Sequence, residues 1–503
     1  MTELSPSEVD LLARVDSWLE SHREEIIADI IDWVAIPSVR TEGTGPGEPF
    51  GVEVRRILDR AVARASELGF ETADVDGYAV TVLADGQPGQ PEIGLASHLD
   101  VVPAGDNWTV EPYAPFERDG FVIGRGASDN KGPAVIDLYL LRAFRELEIP
   151  LTRRLRIIYG GAEESGMEDL AYYAEHGPVP QISLVTDGPF PVNFAQKGGL
   201  NPRLFIPAGP RLSTLSAGVA ENAVPATATI ALTGVGVAEL ETAIAALTDV
   251  ELRETLSVQG DDAGAVLHAR GQSGHAAFPD GTRNAILLLA RGLLALDLTV
   301  NGTELLDAAD RAAAGALARI LETPYGHGAG TDRDDEISGV LTQNGGIVRP
   351  HEGGIALHLD IRYPVTVDSA DLLAALAAAV APVGGHVLGH TDAAPFHIAR
   401  DHEIVTLLQD TFNTVLGVTA EPFAMGGGTH SRVLPNAITF GPGLGRIPGV
   451  LPEDHPVRRP DFIPAENGTP HGPDEFVSIE NLFTAFRIYV IALTRLDRAL
   501  GDA

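Results

Sequence analysis

Five short polar segments of this chain carry histidine or carboxylate side chains at the end of an apolar run. They are Ser97-His98-Leu99-Asp100, Ser128-Asp129-Asn130-Lys131-Gly132, Glu163-Glu164-Ser165, Thr186-Asp187-Gly188 and His471-Gly472-Pro473-Asp474-Glu475. Imidazoles and carboxylates without thiolates form the ligand set of hydrolytic metal centres, because carboxylates can bridge two divalent cations and leave a water exposed. The segments therefore predict metal-dependent hydrolysis.

His98 and Asp100 follow the apolar run 93–96 and are two residues apart, so we expect their side chains to face the same way. A carboxylate that accepts the second imidazole N–H fixes the tautomer of a metal-bound histidine. One residue of the pair can therefore bind a metal while the other orients it. A His-x-Asp sequence in an ordinary turn is the alternative interpretation.

Asp129, Glu163 and Glu164 are three further candidates. Asp129 lies in a Gly-rich loop before a predicted helix, whose N-terminus favours a carboxylate, although a helix cap would have the same sequence. Glu163 and Glu164 follow an apolar strand, and adjacent buried carboxylates are costly unless a cation compensates them. We interpret Glu164 as a ligand and Glu163 as the base for a water, which requires an irregular turn. A solvated acidic turn is the alternative.

Size and composition limit the class of protein. A chain of 503 residues predicts two or three domains. Its 35 Lys plus Arg against 70 Asp plus Glu give a formal charge of −35, which argues against nucleic acid or an anionic membrane as a partner. The chain has no cysteine, so any metal must be bound by histidines and carboxylates. Without a signal-peptide pattern or a long apolar run, we expect a soluble, cytoplasmic protein.

Predicted helices and strands, which must position these residues, alternate along the first part of the chain. Ser5-Pro6-Ser7-Glu8 is a capping box that begins a helix, and a second helix precedes Pro37. Helical patterns then cover 54–68, 134–147 and 167–175, and strand patterns cover 79–83, 93–96, 155–159 and 182–185. This alternation predicts an α/β sheet with helices on both faces and active-site groups beyond the strand ends.

After Asp187 the pattern becomes that of an α+β domain. Strands are predicted at 204–206, 228–233, 264–270 and 355–361, and Ala-rich helices at 237–246, 284–296, 308–321 and 369–381. The α/β pattern returns with a helix at 403–416, a strand at 437–440 and a helix at 479–496. We therefore predict one catalytic domain formed by 1–192 and 396–503, with an inserted domain at 193–395.

The five segments, in this order, resemble the M20 family of metallopeptidases and amidohydrolases, and nearly the whole chain is similar to its PepV-like dipeptidases. The resemblance implies a zinc-peptidase-like α/β catalytic domain, with a mixed sheet flanked by helices, and an inserted α+β lid. It implies two zinc ions, with cobalt or manganese as substitutes. Their ligands would be His98 and Asp187 at one ion and Glu164 and His471 at the other, with Asp129 bridging them. Asp100 would orient His98, and Glu163 would be the general base.

The same resemblance assigns residues of the lid. His275, in Gly271-Gln272-Ser273-Gly274-His275-Ala276, resembles the lid histidine that donates to the carbonyl oxygen as negative charge develops there. Asn222 and Arg362 match family positions near the substrate. Arginine can grip a free carboxylate through two N–H bonds, although a strand-end salt bridge is the other interpretation of Arg362.

A glycine-rich loop, residues 426–429, matches a further family motif. The N–H groups of Gly427, Gly428 and Thr429 could help to bind the substrate carboxylate, because glycine allows close backbone approach. Two departures from the family pattern bear on specificity: His430 follows Thr429, and Gln196-Lys197-Gly198 replaces a family-like Glu-Lys-Gly.

These assignments predict an enzyme that hydrolyses dipeptides or short peptides with a water activated by two metal ions. An N-acyl-amino-acid deacylase of the same superfamily is the nearest alternative, because the metal ligands do not distinguish the two. A non-catalytic binding protein is less favoured, since every ligand and the base are present. The inserted domain is large enough to supply the lid histidine from the same chain, so we expect a monomer.

Overall fold

The structure is a computed structural model that describes residues 3–87, 89–260, 264–296, 299–300, 303–445, 450–451 and 459–501. The chain divides into two compact units. Unit 1 comprises Met1–Phe194, His397–Phe423 and Thr429–Ala503, and unit 2 comprises Ala195–Phe396 and Ala424–Gly428. Unit 2 therefore includes residues 424–428, which the sequence analysis assigned to the catalytic domain.

The amino-terminal part of the chain alternates helices and strands. Its elements are α1 (Pro6–Val34), α2 (Val52–Glu67), β1 (Glu71–Val75), β2 (Ala79–Leu83), β3 (Glu92–His98), β4 (Phe116–Arg118), β5 (Phe121–Ile123), α3 (Gly132–Glu146), β6 (Arg154–Gly160), α4 (Glu168–His176), β7 (Ile182–Val185) and β8 (Val192–Gln196). The capping box at Ser5 and Glu8 is formed as predicted. The prediction of two helices before Pro37 is wrong, because residues 20–25 contain no Gly or Pro and α1 continues through them.

The middle of the chain is richer in strands. Its elements are β9 (Gly198–Pro207), β10 (Ser216–Ala217), β11 (Thr227–Thr233), α5 (Val237–Ala245), α6 (Val250–Thr255), β12 (Leu256–Gly260), β13 (Gly264–Arg270), α7 (Ala285–Ala295), β14 (Thr299–Val300), β15 (Thr303–Glu304), α8 (Ala308–Ile320), β16 (Asp334–Asp335), β17 (Gly339–Val340), β18 (Thr342–His351), β19 (Gly354–Tyr363), α9 (Ser369–Val380), β20 (His386–Ala393) and β21 (Phe396–His397). The carboxyl-terminal part adds α10 (Glu403–Leu416), β22 (Phe423–Met425), β23 (Ala437–Phe440), β24 (Phe476–Ser478) and α11 (Ile479–Gly501).

The central sheet of unit 1 is mixed. Its strands follow the order β1-β2-β6-β3-β7-β23-β8, in which β3 is parallel to both β6 and β7, and β23 is parallel to β7. Helices lie on both faces: Ile158 of β6 packs in one cluster with Leu170 of α4, whereas the hydroxyl of the next residue, Tyr159, donates to Ala134 O of α3. The predicted α/β class with a helix-flanked mixed sheet is confirmed.

Unit 2 is built on an eight-stranded antiparallel sheet in the order β12-β13-β11-β10-β18-β19-β9-β20. Strand β11 alternates exposed and buried residues, as a sheet with one covered face requires. Its buried Ile230 and Leu232 belong to a core that also contains Leu289 of α7 and Leu317 of α8. Across the described ranges of both units, no helix combines the length and apolar composition needed to cross a membrane.

Candidate functional site

Three of the candidate segments lie at one edge of the unit 1 sheet. Strands β3, β6 and β7 run parallel, so their carboxyl ends meet at the same edge. His98 is the last residue of β3, Glu163 and Glu164 begin a short turn just after β6, and Asp187 lies two residues after the end of β7. The turn Glu163–Ser165 is helical rather than extended, so the two glutamates are not forced to opposite faces.

Asp129 lies between the two histidines of the site. Its Oδ1 is 3.0 Å from His98 Nε2, and its Oδ2 is 3.3 Å from His471 Nε2. His98 Nε2 is also 3.7 Å from Asp187 Oδ1, and His471 Nε2 is 3.0 Å from Glu164 Oε2. The five sequence-predicted ligands therefore form two groups that share one carboxylate, each of whose oxygens faces a different histidine.

Asp100 connects the histidine to the pair of glutamates. Its Oδ1 is 3.3 Å from His98 Nδ1 and accepts the backbone N–H of Glu163 at 3.1 Å, while its Oδ2 accepts the backbone N–H of Glu164 at 3.1 Å. His98 Nδ1 also lies 3.0 Å from the backbone oxygen of Asp100. One buried carboxylate thus orients both the imidazole ring and the turn that carries Glu163 and Glu164.

The charges of the site strongly perturb one another. Burial and the neighbouring Asp187 raise the pKa of Glu163 well above its ordinary value, and burial and Asp129 raise the pKa of Glu164 to about 7. Burial alone would lower the pKa of His98, but Asp187, Asp100 and Asp129 raise it well above the usual value. The carboxylates repel one another as anions, so the site favours bound positive charge.

The donor set fits divalent cations. Within the described part of the chain, two groups each bring three ligand atoms within 4.8 Å of one another: His98, Glu163 and Asp187, and His98, Asp129 and Glu164. Imidazole nitrogen and carboxylate oxygen are ligands that zinc, cobalt and manganese all accept. Asp129 presents one carboxylate oxygen to His98 and the other to His471, which is the arrangement that a bridging carboxylate requires.

Glu475 and Arg125 support the Asp129 loop, and the sequence analysis gave neither a role. Glu475 is fully buried and accepts the backbone N–H groups of Gly126, Ser128 and Asp129 at 2.9–3.0 Å. Arg125 donates to Glu475 Oε2 at 2.6 Å and to the backbone oxygen of His471 at 3.0 Å. The sequence contained one signal for this support, the charged Glu475 at the end of the His471 segment. It could not identify Arg125 as the partner, because the two residues are 350 positions apart along the chain.

Lys131 follows the candidate ligand Asp129 by two residues and is one of only two lysines in the chain, the other being Lys197. Its side chain is fully buried, and its Nζ donates to the backbone oxygen of Ile36. Burial lowers the pKa of Lys131 to about 7. The hydrogen bond of this buried side chain to Ile36 O connects the Asp129 loop to the segment after α1.

His430, the departure noted in the glycine-rich loop, is also buried. Its Nε2 lies 3.1 Å from both carboxylate oxygens of Asp169, whose Oδ2 accepts the backbone N–H of Ala162 at 2.8 Å. Ala162 directly precedes Glu163. The pair thus connects the segment after Thr429 to the turn that carries the candidate base.

Two candidate substrate residues, Asn222 and His275, lie together in unit 2. The backbone N–H of Ala276 donates to Asn222 O at 2.9 Å, and Ala223 bridges His275 in an isolated antiparallel pair. Both Asn222 and His275 are exposed. His275 Nδ1 accepts the backbone N–H of Ala277 at 3.1 Å, which sets the direction of its ring.

Arg362 and the glycine-rich loop also meet in unit 2. The guanidinium of Arg362 donates from Nε and Nη2 to the two oxygens of Asp360 at 2.8 and 2.9 Å, which is the salt bridge considered as its alternative role. Its Nη1 lies 3.5 Å from Gly426 O, next to Gly427 and Gly428. Thr429 belongs to unit 1, where its buried hydroxyl lies 2.6 Å from Thr439 Oγ1. The contact with Thr439 therefore fixes the Thr429 side chain at the end of the loop.

Comparison with known proteins adds independent information. The sequence profile of Peptidase family M20/M25/M40 matches residues 94–495. The protein named "Putative dipeptidase YtjP" from Bacillus subtilis (strain 168) is 32% identical over 490 residues, which cover 95% of this chain and 98% of YtjP. "Putative dipeptidase SSP1012" from Staphylococcus saprophyticus is 26% identical, with 95% and 98% of the two chains covered.

Solved structures share the fold at low sequence identity. Human carnosine dipeptidase 1 matches with a TM-score of 0.55 at 15% identity, covering 97% of this chain and 99% of its own. The dipeptidase Dug1p from Saccharomyces cerevisiae matches with a TM-score of 0.55 at 14% identity, covering 97% and 98%. Because the family profile spans most of the chain and YtjP aligns along nearly all of it, the chain belongs to peptidase family M20/M25/M40, as its five polar segments predicted.

Proposed function

We propose that this protein is a dinuclear zinc dipeptidase, which hydrolyses the peptide bond of dipeptides or short peptides. The observation that carries the proposal is the position of Asp129, with one carboxylate oxygen facing His98 and the other facing His471. His98 and Asp187 would complete one zinc site, and Glu164 and His471 the other. Cobalt or manganese could substitute, since the same ligands accept them.

Two bound cations would supply Lewis-acid polarisation of the scissile carbonyl and would lower the pKa of the attacking water. The chain itself contributes the base. Glu163 is fixed through its backbone N–H to Asp100, so its carboxylate can accept a proton from the water and later deliver it to the leaving amine. The raised pKa of Glu163 in the metal-free site suits a group that must take up and release a proton.

The candidate substrate residues, all in unit 2 except Thr429, would recognise the peptide. The Nη1 edge of Arg362 points to the glycine-rich loop, and together with the N–H groups of Gly427, Gly428 and Thr429 it would bind the free C-terminal carboxylate. Asp360 pairs with the opposite edge of the guanidinium and so fixes its plane. His275 would donate to the carbonyl oxygen in the transition state, and Asn222 would contact the substrate beside it.

The dipeptide assignment is supported by the dipeptidase names of the relatives that align along nearly the whole chain. An N-acyl-amino-acid deacylase remains the second candidate, because it would use the same ligands and the same carboxylate grip. The monomeric state and the cytoplasmic location expected from the sequence stay predictions. The difference between the two activities lies at the N-terminal side of the scissile bond.

A paired substrate assay tests the proposal. Chelator-treated protein is incubated with Ala-Ala and with N-acetyl-alanine, before and after two equivalents of zinc are restored. We expect turnover of Ala-Ala only when zinc is present, and slow or no turnover of N-acetyl-alanine. Exclusive turnover of the acetylated compound would establish the deacylase instead, and full activity in the chelated protein would refute the metal mechanism. The C-terminal amide of Ala-Ala is the control for carboxylate recognition and should react poorly.

A further inference from the structure

A buried carboxyl group on α3, that of Asp137, contacts the residues that directly precede two of the candidate ligands. Asp137 is fully buried, and its Oδ2 is hydrogen-bonded to the hydroxyls of Thr186, at 2.6 Å, and of Ser97. The two hydroxyl oxygens are themselves 2.9 Å apart. The side chains of Asp137 in α3, Ser97 in β3 and Thr186, directly after β7, therefore form a closed triangle of oxygen atoms.

The triangle touches the chain neighbours of three candidate ligands. Ser97 precedes His98, and Thr186 precedes Asp187. Strand β3, which contains Ser97, and strand β7, which ends directly before Thr186, are parallel neighbours in the sheet. Asn130, which follows Asp129, donates from Nδ2 to the backbone oxygen of Thr186 at 3.1 Å. A displacement of Asp137 would thus alter the separation of the strand ends that carry the ligands.

Hydrogen counting favours a neutral Asp137. Three contacts between three oxygens require three protons, and the two hydroxyls supply only two, so a protonated carboxyl completes the triangle. Asp137 Oδ1 is buried without a hydrogen-bond partner, which costs much less for a neutral carbonyl oxygen than for an ionised one. In agreement, burial raises the pKa of Asp137 to about 7.

We propose that Asp137 is a positioning residue, which fixes the spacing of the carboxyl ends of β3 and β7 and thereby the geometry of the metal site that contains His98 and Asp187. It touches neither ligand and acts through Ser97 and Thr186. This inference rests on the proposed dinuclear function. Removal of a group that orients metal ligands without binding the metal itself typically lowers metal affinity or activity by about 10–100-fold.

Zinc titration calorimetry on the chelator-stripped full-length protein tests the inference. Asp137→Leu removes all hydrogen bonding at similar size, and we expect one of the two zinc affinities to fall by about 10–100-fold. Asp137→Asn should stay within about threefold of the wild type. Its amide N–H can donate into the triangle as the acid does, while its carbonyl takes the place of Oδ1.

The matched control is Asp497→Leu. Asp497 is also a buried carboxylate of unit 1, but it accepts the backbone N–H groups of Thr152 and Arg153, at the opposite end of β6. Its loss should lower the unfolding temperature and leave both zinc affinities unchanged. Thr186→Val provides a milder second variant in case Asp137→Leu does not fold, and a weakening of one zinc site is expected for it too.

The outcomes separate the inference from the function on which it rests. If the wild type binds no zinc pair, the proposed function fails. If the wild type binds two ions and both Asp137→Leu and Thr186→Val bind them as tightly, the positioning role is refuted while the function stands. A zinc affinity lost equally in Asp497→Leu would also refute it, because a general loss of stability would then explain the effect.

Discussion

The candidate ligands of unit 1 and the candidate substrate residues of unit 2 are positioned in opposite ways. His98 is fully buried, and both of its ring nitrogens face carboxylate or carbonyl oxygens. His275 is exposed, and the neighbouring Phe278 is 74% exposed. Backbone hydrogen bonds between neighbouring loops, such as Ala276 N–H to Asn222 O, position the segment around His275.

This contrast indicates two ways of preparing a site. Cations with fixed coordination require ligands that are already in place, and burial with additional carboxylate contacts restricts His98 and its neighbours before binding. Residues that meet a variable peptide can remain on exposed loops whose order is completed by the substrate. The contrast can be tested by substitutions that affect one group and leave the other unchanged.

The largest expected effect is the loss of the base in Glu163→Gln. The amide has almost the same size but cannot accept the proton, so we expect kcat for Ala-Ala to fall by about 10²–10⁴-fold. Zinc stoichiometry, measured by elemental analysis, should stay at the wild-type value, because Glu164 rather than Glu163 is the proposed ligand. A variant that keeps kcat within tenfold would contradict the assignment.

A matched pair of histidine substitutions sharpens the comparison between the units. His275→Ala should lower kcat by about 10²–10³-fold as one oxyanion donor is lost, while zinc binding stays normal. Its unfolding free energy should change by less than about 0.5 kcal/mol, because the residue is exposed. His98→Ala should instead lose one zinc ion and destabilise the metal-free protein measurably in urea titration. Equal behaviour of the two variants would remove the distinction.

Glu475→Gln should weaken metal binding without touching a ligand. One carboxylate of Glu475 accepts three backbone N–H groups of the Asp129 loop as well as Arg125, and a neutral amide leaves Arg125 buried without its counter-charge. We expect zinc affinity to fall by about 10–100-fold in calorimetry. Glu480→Gln, on the exposed surface of α11, is the control, and unchanged affinity in both variants would show that the loop needs no such support.

The smallest expected effect is a change in pH dependence. The carboxyl of Asp137 titrates near 3.8 in an unfolded chain, whereas its pKa is raised to about 7 in the folded protein by burial. Between these values the folded state binds the proton and the unfolded state does not, so this group lowers stability as pH rises. In metal-free protein, Asp137→Asn should therefore gain at least about 1 kcal/mol relative to the wild type between pH 4.5 and pH 8. Parallel stability curves would exclude a neutral Asp137.

Much of the unit 1 fold followed from local patterns. The predicted bounds 79–83, 182–185, 403–416 and 437–440 are those observed, because each segment is apolar and periodic and ends at Gly, Pro or polar residues. Strand β18 was missed, since its Gly345, Gly346 and Pro350 are typical of loops. Pairing with β10 on one side and β19 on the other makes it a strand, and a local pattern cannot show that pairing.

The same limit applies to the site. The ligands were recognised because histidine and carboxylate after a buried strand are unusual by type alone. The supporting residues carried no recognisable motif: Arg125 lies between two glycines, and Asp137 is a single carboxyl within the apolar run of a predicted helix. Their roles depend on contacts with Glu475 and Thr186, 350 and 49 residues away along the chain. Only the folded structure brings these partners together.

The scarcity of lysine makes this enzyme a convenient subject for amine-directed chemistry. Lys131 is sealed inside unit 1, and Lys197 is only partly covered, beside the strand that carries Gly198 and Gly199. Of the two lysine side chains, an acylating dye would therefore modify Lys197 more readily than the fully buried Lys131, and the α-amine would be a second target. The backbone N–H of Lys197 bonds to Met425 O, just before the glycine-rich loop, so a dye on Lys197 would test the proposal that this loop binds the substrate carboxylate.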